Sequence, residues 1–312
     1  MTRPTIAPSV LHAIGRTPLI RLRRLAPEGA ADVLVKLEFY NPTGSYKDRM
    51  ALAIIEEAEK RGDLQPGMTV VECTGGSTGT SLAFICAVKG YPFRVISSDA
   101  FAREKLQAMR LFGADLEIIP SEGGKITPDL IPRMMERAKQ VGAEKGFYYT
   151  RQFLNTDAIA GYQQMGKEII AQLDKPVAAF CGAAGTAGMI TGVSKELKKN
   201  NPDTKVTVLE PLSAPLISRG IKGPHSVEGI GVGFVPPLLM KETYDAVRAI
   251  DEAAARLMAK KLAKEEGIFA GTSSGLNVAA AIEIARELGP GHNIITVACD
   301  TGLKYMAGGL FD

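Results

Sequence analysis

Asn41-Pro42-Thr43-Gly44-Ser45-Tyr46-Lys47-Asp48-Arg49 places one lysine, Lys47, behind a turn-forming Asn-Pro and a small Gly-Ser. Two readings of these nine residues stand side by side. In one, Ser45 caps an ordinary helix N-terminus and Lys47 points into solvent. In the other, Lys47 is shielded from water. Burial then penalises its ammonium form and lowers its pKa, and the free amine can form a Schiff base with an aldehyde cofactor. The remainder of the chain has to decide between them.

Outward from this turn, short β-branched runs alternate with amphipathic stretches. Strands are predicted over Val33 to Phe39, Thr69 to Cys73, Arg94 to Ser97, Leu116 to Ile119, Val177 to Cys181, Lys205 to Glu210 and Asn293 to Ala298. Helical periodicity covers Met50 to Arg61, Thr80 to Lys89, Arg103 to Phe112, Thr127 to Val141, Met189 to Lys199, Glu252 to Glu266 and Asn277 to Leu288. Such alternation predicts an α/β fold with mostly parallel sheets flanked by helices. No repeat, low-complexity tract or Pro/Ser-rich linker marks a boundary, so one is inferred in the loop around Glu144 to Arg151.

Two strand-loop-helix junctions carry chemistry. After Val70 to Cys73 comes Thr74-Gly75-Gly76-Ser77-Thr78-Gly79. Its glycines let the backbone approach a ligand, its hydroxyls add donors, and the following helix offers N–H groups to a carboxylate or phosphate. After Val177 to Cys181 comes Gly182-Ala183-Ala184-Gly185-Thr186-Ala187-Gly188, to which the same logic applies. A single Gly-rich loop is equally a tight connection. Neither loop ends in the Gly-Lys-Ser/Thr of a nucleotide P-loop, and the glycine spacing of the second fits a dinucleotide fingerprint poorly, which argues against a dehydrogenase. A third segment, Gly271-Thr272-Ser273-Ser274-Gly275, reads by itself as a Ser/Gly helix cap.

The 312 residues are 46% hydrophobic and 23% charged, which suits a globular protein of one large or two medium domains sharing a ligand cleft. The net charge of +3 comes from interspersed residues without a basic block, so neither nucleic acid nor an anionic membrane is an expected partner. No apolar run approaches the roughly 20 residues that span a bilayer, and Met1 to Val10 is too weakly apolar for a signal peptide; a cytoplasmic location is expected. Cys73, Cys86, Cys181 and Cys299 are far apart and read as buried small hydrophobes, and His12, His225 and His292 have no ligand spacing, so no metal is expected.

Taken together, these residues resemble the fold-type II pyridoxal-phosphate enzymes, and among them the cysteine synthase (O-acetylserine sulfhydrylase) and cystathionine β-synthase family. The resemblance runs through the lysine turn, the Thr-Gly-Gly-Ser-Thr-Gly loop, Arg151-Gln152-Phe153 with Asn155, Gly182 to Thr186, Glu210-Pro211 with Ser213, Gly223-Pro224-His225, Gly229-Ile230-Gly231 with Gly233-Phe234 and Pro236, and Gly271 to Gly275. It implies a two-domain, tryptophan synthase β-like fold. Residues 40–150 would form a smaller, mobile domain carrying the substrate-carboxylate loop. Residues 1–39 plus 151–312 would form a larger domain carrying the cofactor-phosphate loop.

The resemblance also implies roles. Lys47 would hold pyridoxal 5'-phosphate as a Schiff base and then act as the base that removes the substrate α-proton. Gly182, Ala183, Ala184, Gly185 and Thr186 would cradle the phosphate, and Ser273 would hydrogen-bond the pyridine nitrogen, which favours expulsion of a β-leaving group over transamination. Thr74, Gly75, Gly76, Ser77 and Thr78, with Gln152, would bind the substrate carboxylate, and Gly229 would line the cofactor's other side. Ser77 also stands where the family's asparagine touches the cofactor's ring hydroxyl.

The expected reaction is β-replacement on an activated L-serine, O-acetylserine plus sulfide giving L-cysteine and acetate in a homodimer. The alternatives are another nucleophile (cystathionine or another β-substituted alanine as product), β-elimination, and a catalytically silent scaffold that binds the cofactor. Departures bear on this choice. Gly75 and Ser77 replace the serine and asparagine of the family's usual Thr-Ser-Gly-Asn-Thr-Gly, Ala183 and Ala184 replace threonine and glycine, and Thr156 to Gly166 lacks the usual Asn-Pro and Thr-Thr-Gly.

Overall fold

A computed structural model describes residues 6–125, 127, 129–307 and 310. Met1 to Thr5 of the N-terminal stretch and Pro128 of the expected Thr127 to Val141 helix lie outside the described residues. The strands among them are β1 (Leu19–Arg21), β2 (Asp32–Leu37), β3 (Thr69–Cys73), β4 (Phe93–Ser98), β5 (Asp115–Ile119), β6 (Phe147–Tyr149), β7 (Ala179–Ala183), β8 (Lys205–Pro211), β9 (Ala246–Ile250) and β10 (Asn293–Ala298). The α-helices are α1 (Lys47–Arg61), α2 (Ser77–Lys89), α3 (Arg103–Leu111), α4 (Leu130–Gly142), α5 (Asp157–Ala171), α6 (Gly188–Asn200), α7 (Leu216–Arg219), α8 (Glu252–Lys261) and α9 (Thr272–Leu288). They sort into two compact units, residues 1–16 with 40–150 and residues 17–39 with 151–312. The N-terminal segment thus groups with the first unit, against the expectation that residues 1–39 stay together. Leu11 and Ile14 pack on the first unit's core, and Gly15 N–H donates to Asn41 Oδ1 at 2.8 Å.

The first unit is a parallel four-stranded sheet in the order β5-β4-β3-β6. Side chains on a strand alternate between faces, and β3 shows the consequence. Val70 enters a core with Ala51 and Ile55 of α1 and Leu82 and Ile85 of α2. Its neighbour Val71 enters a second core with Leu130, Met134 and Val141 of α4. A sheet buried on both faces carries β-branched apolar residues without alternation, and Val70-Val71 made Thr69 to Cys73 legible as a strand despite the buried Glu72.

The second unit is a six-stranded sheet in the order β1-β2-β10-β7-β8-β9, parallel except for β1 against β2. Helix α9 lies against one face. Its Leu276, Val278, Ala280 and Ala281 join Val33, Val35, Cys181 and Ile294 in the core, while Glu283 and Glu287 of its last turns face outward and pair with Arg248. Helices α5 and α6 pack closely on each other, and Gly192 of α6 permits the approach, since a Cβ there would stand 2.6 Å from the Ile159 carbonyl oxygen.

Buried Lys36 on β2 anchors the far end of α5. Its ammonium donates to Glu168 at 2.8 Å, Gln172 at 2.9 Å and the Thr17 carbonyl at 2.7 Å, so its charge is paired and its three protons are placed.

Candidate active site

The first unit builds the lysine turn from local hydrogen bonds. Gly44 N–H donates to the Asn41 carbonyl at 2.7 Å, and Gly44 takes a φ of 70°, a left-handed value that glycine adopts without strain. The Asp48 carboxylate then clasps the turn from inside the helix, accepting from Thr43 N–H at 2.8 Å and the Thr43 hydroxyl at 2.5 Å. Ser45 Oγ accepts from Lys47 N–H at 3.3 Å, yet the cap of α1 is Tyr46, one residue later, and no side chain makes a capping bond there. The lysine is not solvent-facing either, because Lys47 is only 8% exposed, with its ammonium 4.9 Å from the Tyr46 ring centroid. Of the two readings of the nonapeptide, the sequestered amine is the one the structure favours.

The Thr74 to Thr78 loop leaves the C-terminal end of β3 in the same unit. Helix α2 begins at Ser77, three residues before the expected Thr80, so Ser77 and Thr78 belong to its first turn with Gly76 as cap. Gly76 N–H donates to Thr74 Oγ1 at 3.2 Å, shaping the loop, and Thr74 and Thr78 are buried. Thr43 of the lysine turn and Ser81 of α2 bring their hydroxyl oxygens within 3.3 Å, which places the two segments side by side. The joint product is a buried amine beside a hydroxyl-rich helix N-terminus. Such a surface can hold a carboxylate and exchange a proton with its bearer.

In the second unit β7 runs to Ala183, two residues past the expected Cys181, because Gly182 and Ala183 pair with Val208 and Leu209 of β8. Only Ala184, Gly185 and Thr186 of the expected phosphate loop are loop residues, and all five positions are buried. Ala187, at a φ of 64°, turns the chain into α6. The helix N-terminus therefore follows a run with no side chain larger than a methyl before Thr186, a surface to which an anion can come close.

Asn277 of α9, absent from the sequence expectations as a site residue, fixes this loop to its neighbours. Its Oδ1 accepts from Ala183 N–H at 2.9 Å and its Nδ2 donates to the Val297 carbonyl of β10 at 2.8 Å. Because α9 starts at Thr272 rather than Asn277, Ser273 and Ser274 lie in its first turn. The two serines differ. Ser274 Oγ accepts from Cys299 N–H at 2.9 Å and secures the helix, while Ser273, 6% exposed, is the one the expectation singled out.

The Gly229 turn meets the same loop. A Cβ on Gly185 would overlap the Gly229 carbonyl oxygen, and Gly231 N–H donates to the Ala184 carbonyl at 3.4 Å. His225 braces this turn through Nε2, 2.8 Å from the Gly231 carbonyl oxygen. Gln152, buried, follows Arg151, whose φ of 52° is rare for a residue with a side chain. Its neighbour Phe153 packs edge-on against Phe234 with centroids 5.2 Å apart. The second unit thus collects Gly182 to Thr186, Ser273, the Gly229 turn and the Gln152 segment, whereas Lys47 and Thr74 to Thr78 belong to the first. Only a signal for long-range pairing could have shown the supporting role of Asn277 in the sequence, whereas His225, six residues from Gly231, lies in the Gly223-Pro224-His225 motif.

With this geometry in hand, the comparisons with known proteins are specific. The chain belongs to the fold-type II family of pyridoxal-phosphate dependent enzymes, whose match spans residues 10–300. It is similar to the cysteine synthase of Staphylococcus aureus, 38% identical over 305 residues that cover 97% of this chain and 96% of that protein. It is equally similar to the O-ureido-L-serine synthase of Streptomyces lavendulae, 38% identical over 306 residues covering 97% of this chain and 92% of that one. A crystal structure of O-ureido-L-serine synthase superposes with a TM-score of 0.91 at 37% identity, covering 99% of this chain and 96% of that one.

Pyridoxal phosphate is accordingly the cofactor, and the chemistry is a β-replacement on a serine-type substrate. The residues present fit the cofactor. A methyl-lined loop opens a 13-residue helix, whose first N–H groups suit an anion such as the cofactor phosphate. Among the described residues, no group of His, Cys, Asp and Glu is arranged to hold a metal, and no helix is long and apolar enough to cross a membrane.

Proposed function

We propose that this chain makes a β-substituted alanine from an O-activated L-serine such as O-acetylserine, with a nucleophile that its altered carboxylate loop leaves open beyond sulfide. Bound pyridoxal phosphate would supply the electron sink that lets the substrate α-proton leave. Lys47 would carry the cofactor, take that proton from Cα and later return it. The Cβ–O bond to the leaving carboxylate breaks and a Cβ–nucleophile bond forms, so the donor's acyl group departs as its acid and no redox partner is needed. Thr74 to Thr78 and Gln152 would hold the substrate carboxylate, and Ser77 the cofactor's ring oxygen. Gly182 to Thr186 would hold the phosphate against the α6 N-terminus, Ser273 would hydrogen-bond the pyridine nitrogen, and Gly229 would line the cofactor. We extend the proposal to a homodimer.

The observation that carries this reading is the burial of Lys47 on a turn locked by Asp48, which suits a covalent amine and not a solvated one. Two nucleophile classes compete. Sulfide would give cysteine, in keeping with the cysteine synthase relative. A larger nucleophile would give another β-substituted alanine, and equal identity to O-ureido-L-serine synthase together with Gly75 and Ser77 favours this second class.

The test is a product analysis of the holoenzyme with O-acetylserine and sulfide, homocysteine, an oxygen nucleophile or an amine, offered singly and in competition. One β-substituted alanine formed in excess of the others names the nucleophile. Pyruvate and ammonia as the main products would overturn replacement in favour of elimination, and no turnover of any donor would favour the silent scaffold. Lys47→Ala should abolish product in every case.

A further inference from the structure

Position 75 is where a side chain has been given up, and another has moved into its place. Gly75 is buried, and a Cβ built on it would overlap the face of the Phe101 ring at Cγ and both Cδ atoms. A serine, usual in the family at this point, has no room. Phe101 is not loosely laid there. It ends a turn after β4 in which its own N–H donates to the Ser98 carbonyl at 3.3 Å and Ala100 N–H donates to Ser98 Oγ at 3.3 Å. Asp99 ties that turn across to the end of β5, accepting from Ser121 N–H at 2.8 Å and from the Ser98 hydroxyl at 3.1 Å. The ring also packs against the core formed by Val71, Ile96 and Leu130.

On the far side of the loop, a Cβ on Gly79 would stand 2.7 Å from both the Met109 thioether and the Thr74 methyl. The loop backbone is therefore clamped at two points, by an aromatic ring over Gly75 and by Thr74 and Met109 over Gly79. An interior packed at this density has no slack to admit one more side-chain carbon without displacing a neighbour.

We propose that Phe101 is a positioning residue for the substrate-carboxylate loop, interlocked with Gly75, so that a fixed backbone surface backed by the ring replaces a serine hydroxyl in holding the amino-acid donor. The proposal rests on the assignment of Thr74 to Thr78 as the carboxylate loop. It deepens that assignment by naming what sets the loop's shape in this chain. Since the loop contacts the donor's carboxylate and not its reacting Cα or Cβ, loosening it acts on donor binding more than on the chemical step.

The test compares holoenzyme forms of Phe101→Ala, Phe101→Leu, Gly75→Ser and the double variant Gly75→Ser with Phe101→Ala. KM for O-acetylserine, kcat and thermal midpoint are measured for each. Phe101→Ala should raise KM at least tenfold with kcat within about threefold, and Phe101→Leu should recover most of that loss. Gly75→Ser should raise KM and lower the midpoint, and adding Phe101→Ala should relieve both, so the two changes are strongly non-additive.

If Gly75→Ser does not fold, the Ala and Leu variants at 101 decide the matter alone. A lowered midpoint with unmoved KM in Phe101→Ala, or additive effects in the double variant, overturns the positioning role. A parent enzyme that no amino-acid donor saturates overturns instead the substrate reading on which it rests.

Discussion

Gly185 shows how much a single missing carbon does in this protein. Its α-carbon faces the Gly229 carbonyl oxygen so closely that any side chain would strike backbone, which cannot swing aside as a side chain can. Gly185→Ala should therefore push the Gly229 turn away from the loop after β7 and weaken cofactor binding at least tenfold, read as the pyridoxal-phosphate concentration needed to saturate the visible cofactor band. The two serines at the start of α9 make a sharper contrast. Ser274→Ala removes the acceptor of the buried Cys299 N–H and should cost about 1–3 kcal/mol of stability, seen as a lower denaturation midpoint. Ser273→Ala should show itself in the position of the cofactor band and in kcat. If the two variants exchanged these signatures, the assignment of Ser273 to the pyridine nitrogen would fall.

At the scale of elements, Asn277 joins α9, the end of β7 and β10 through one buried amide. Replacing it with alanine leaves the Ala183 N–H and the Val297 carbonyl without that partner, each loss worth about 1–3 kcal/mol in a buried setting. Asn277→Ala is expected to lower the denaturation midpoint and weaken cofactor affinity together, because the loop it restrains is the one proposed to hold the phosphate. A stability loss with unchanged cofactor affinity would separate the two.

The elements differ in how legible they were. Thr69–Cys73 and Asn293–Ala298 were read to the residue because central parallel strands are buried on both faces and rich in β-branched residues. The Leu19–Arg21 and Phe147–Tyr149 strands are only three residues long, and Ala246–Ile250 lies at a sheet edge with an arginine in its middle, so none carries a pattern that stands apart from loop. Helix α5 was missed for a different reason. Gly161 and Gly166 depress its propensity, yet Gly166 sits against the Glu196 side chain, where a Cβ would be 2.8 Å away, so tertiary packing overrides the local preference. The candidate site followed the same division: local motifs around Lys47, Thr74, Gly182, His225 and Ser273 stood out, whereas Phe101 and Asn277 act through partners distant in sequence.

Across the whole molecule all four cysteines are buried and free. Burial pushes the Cys86 and Cys181 thiols from the ordinary value near 9 up to about 12, with a nearby carboxylate, Glu59, adding to the effect at Cys86. Thiolate, the reactive form, is thus suppressed in the native state. Below pH 9 the folded and unfolded chains both keep these protons. Above it the unfolded chain releases protons that the folded chain retains, so this contribution to stability falls as pH rises from about 9 toward 12. A thiol reagent at pH 8 should label the native protein slowly at all four positions and quickly once it is denatured. Fast native labelling at Cys86 or Cys181 would contradict the packing around α2 or β7.

Lys47 and the Thr74 to Thr78 loop belong to one unit, and Gly182 to Thr186 and Ser273 to the other. One spectrum tests whether they serve a single reaction: the absorption of the purified protein with pyridoxal phosphate, titrated with O-acetylserine and then with a nucleophile. A visible cofactor band that the donor shifts and the nucleophile restores is expected, with no such band in Lys47→Ala. A protein that shows no band after the cofactor is added, or a Lys47→Ala variant that keeps the full response, would contradict that expectation.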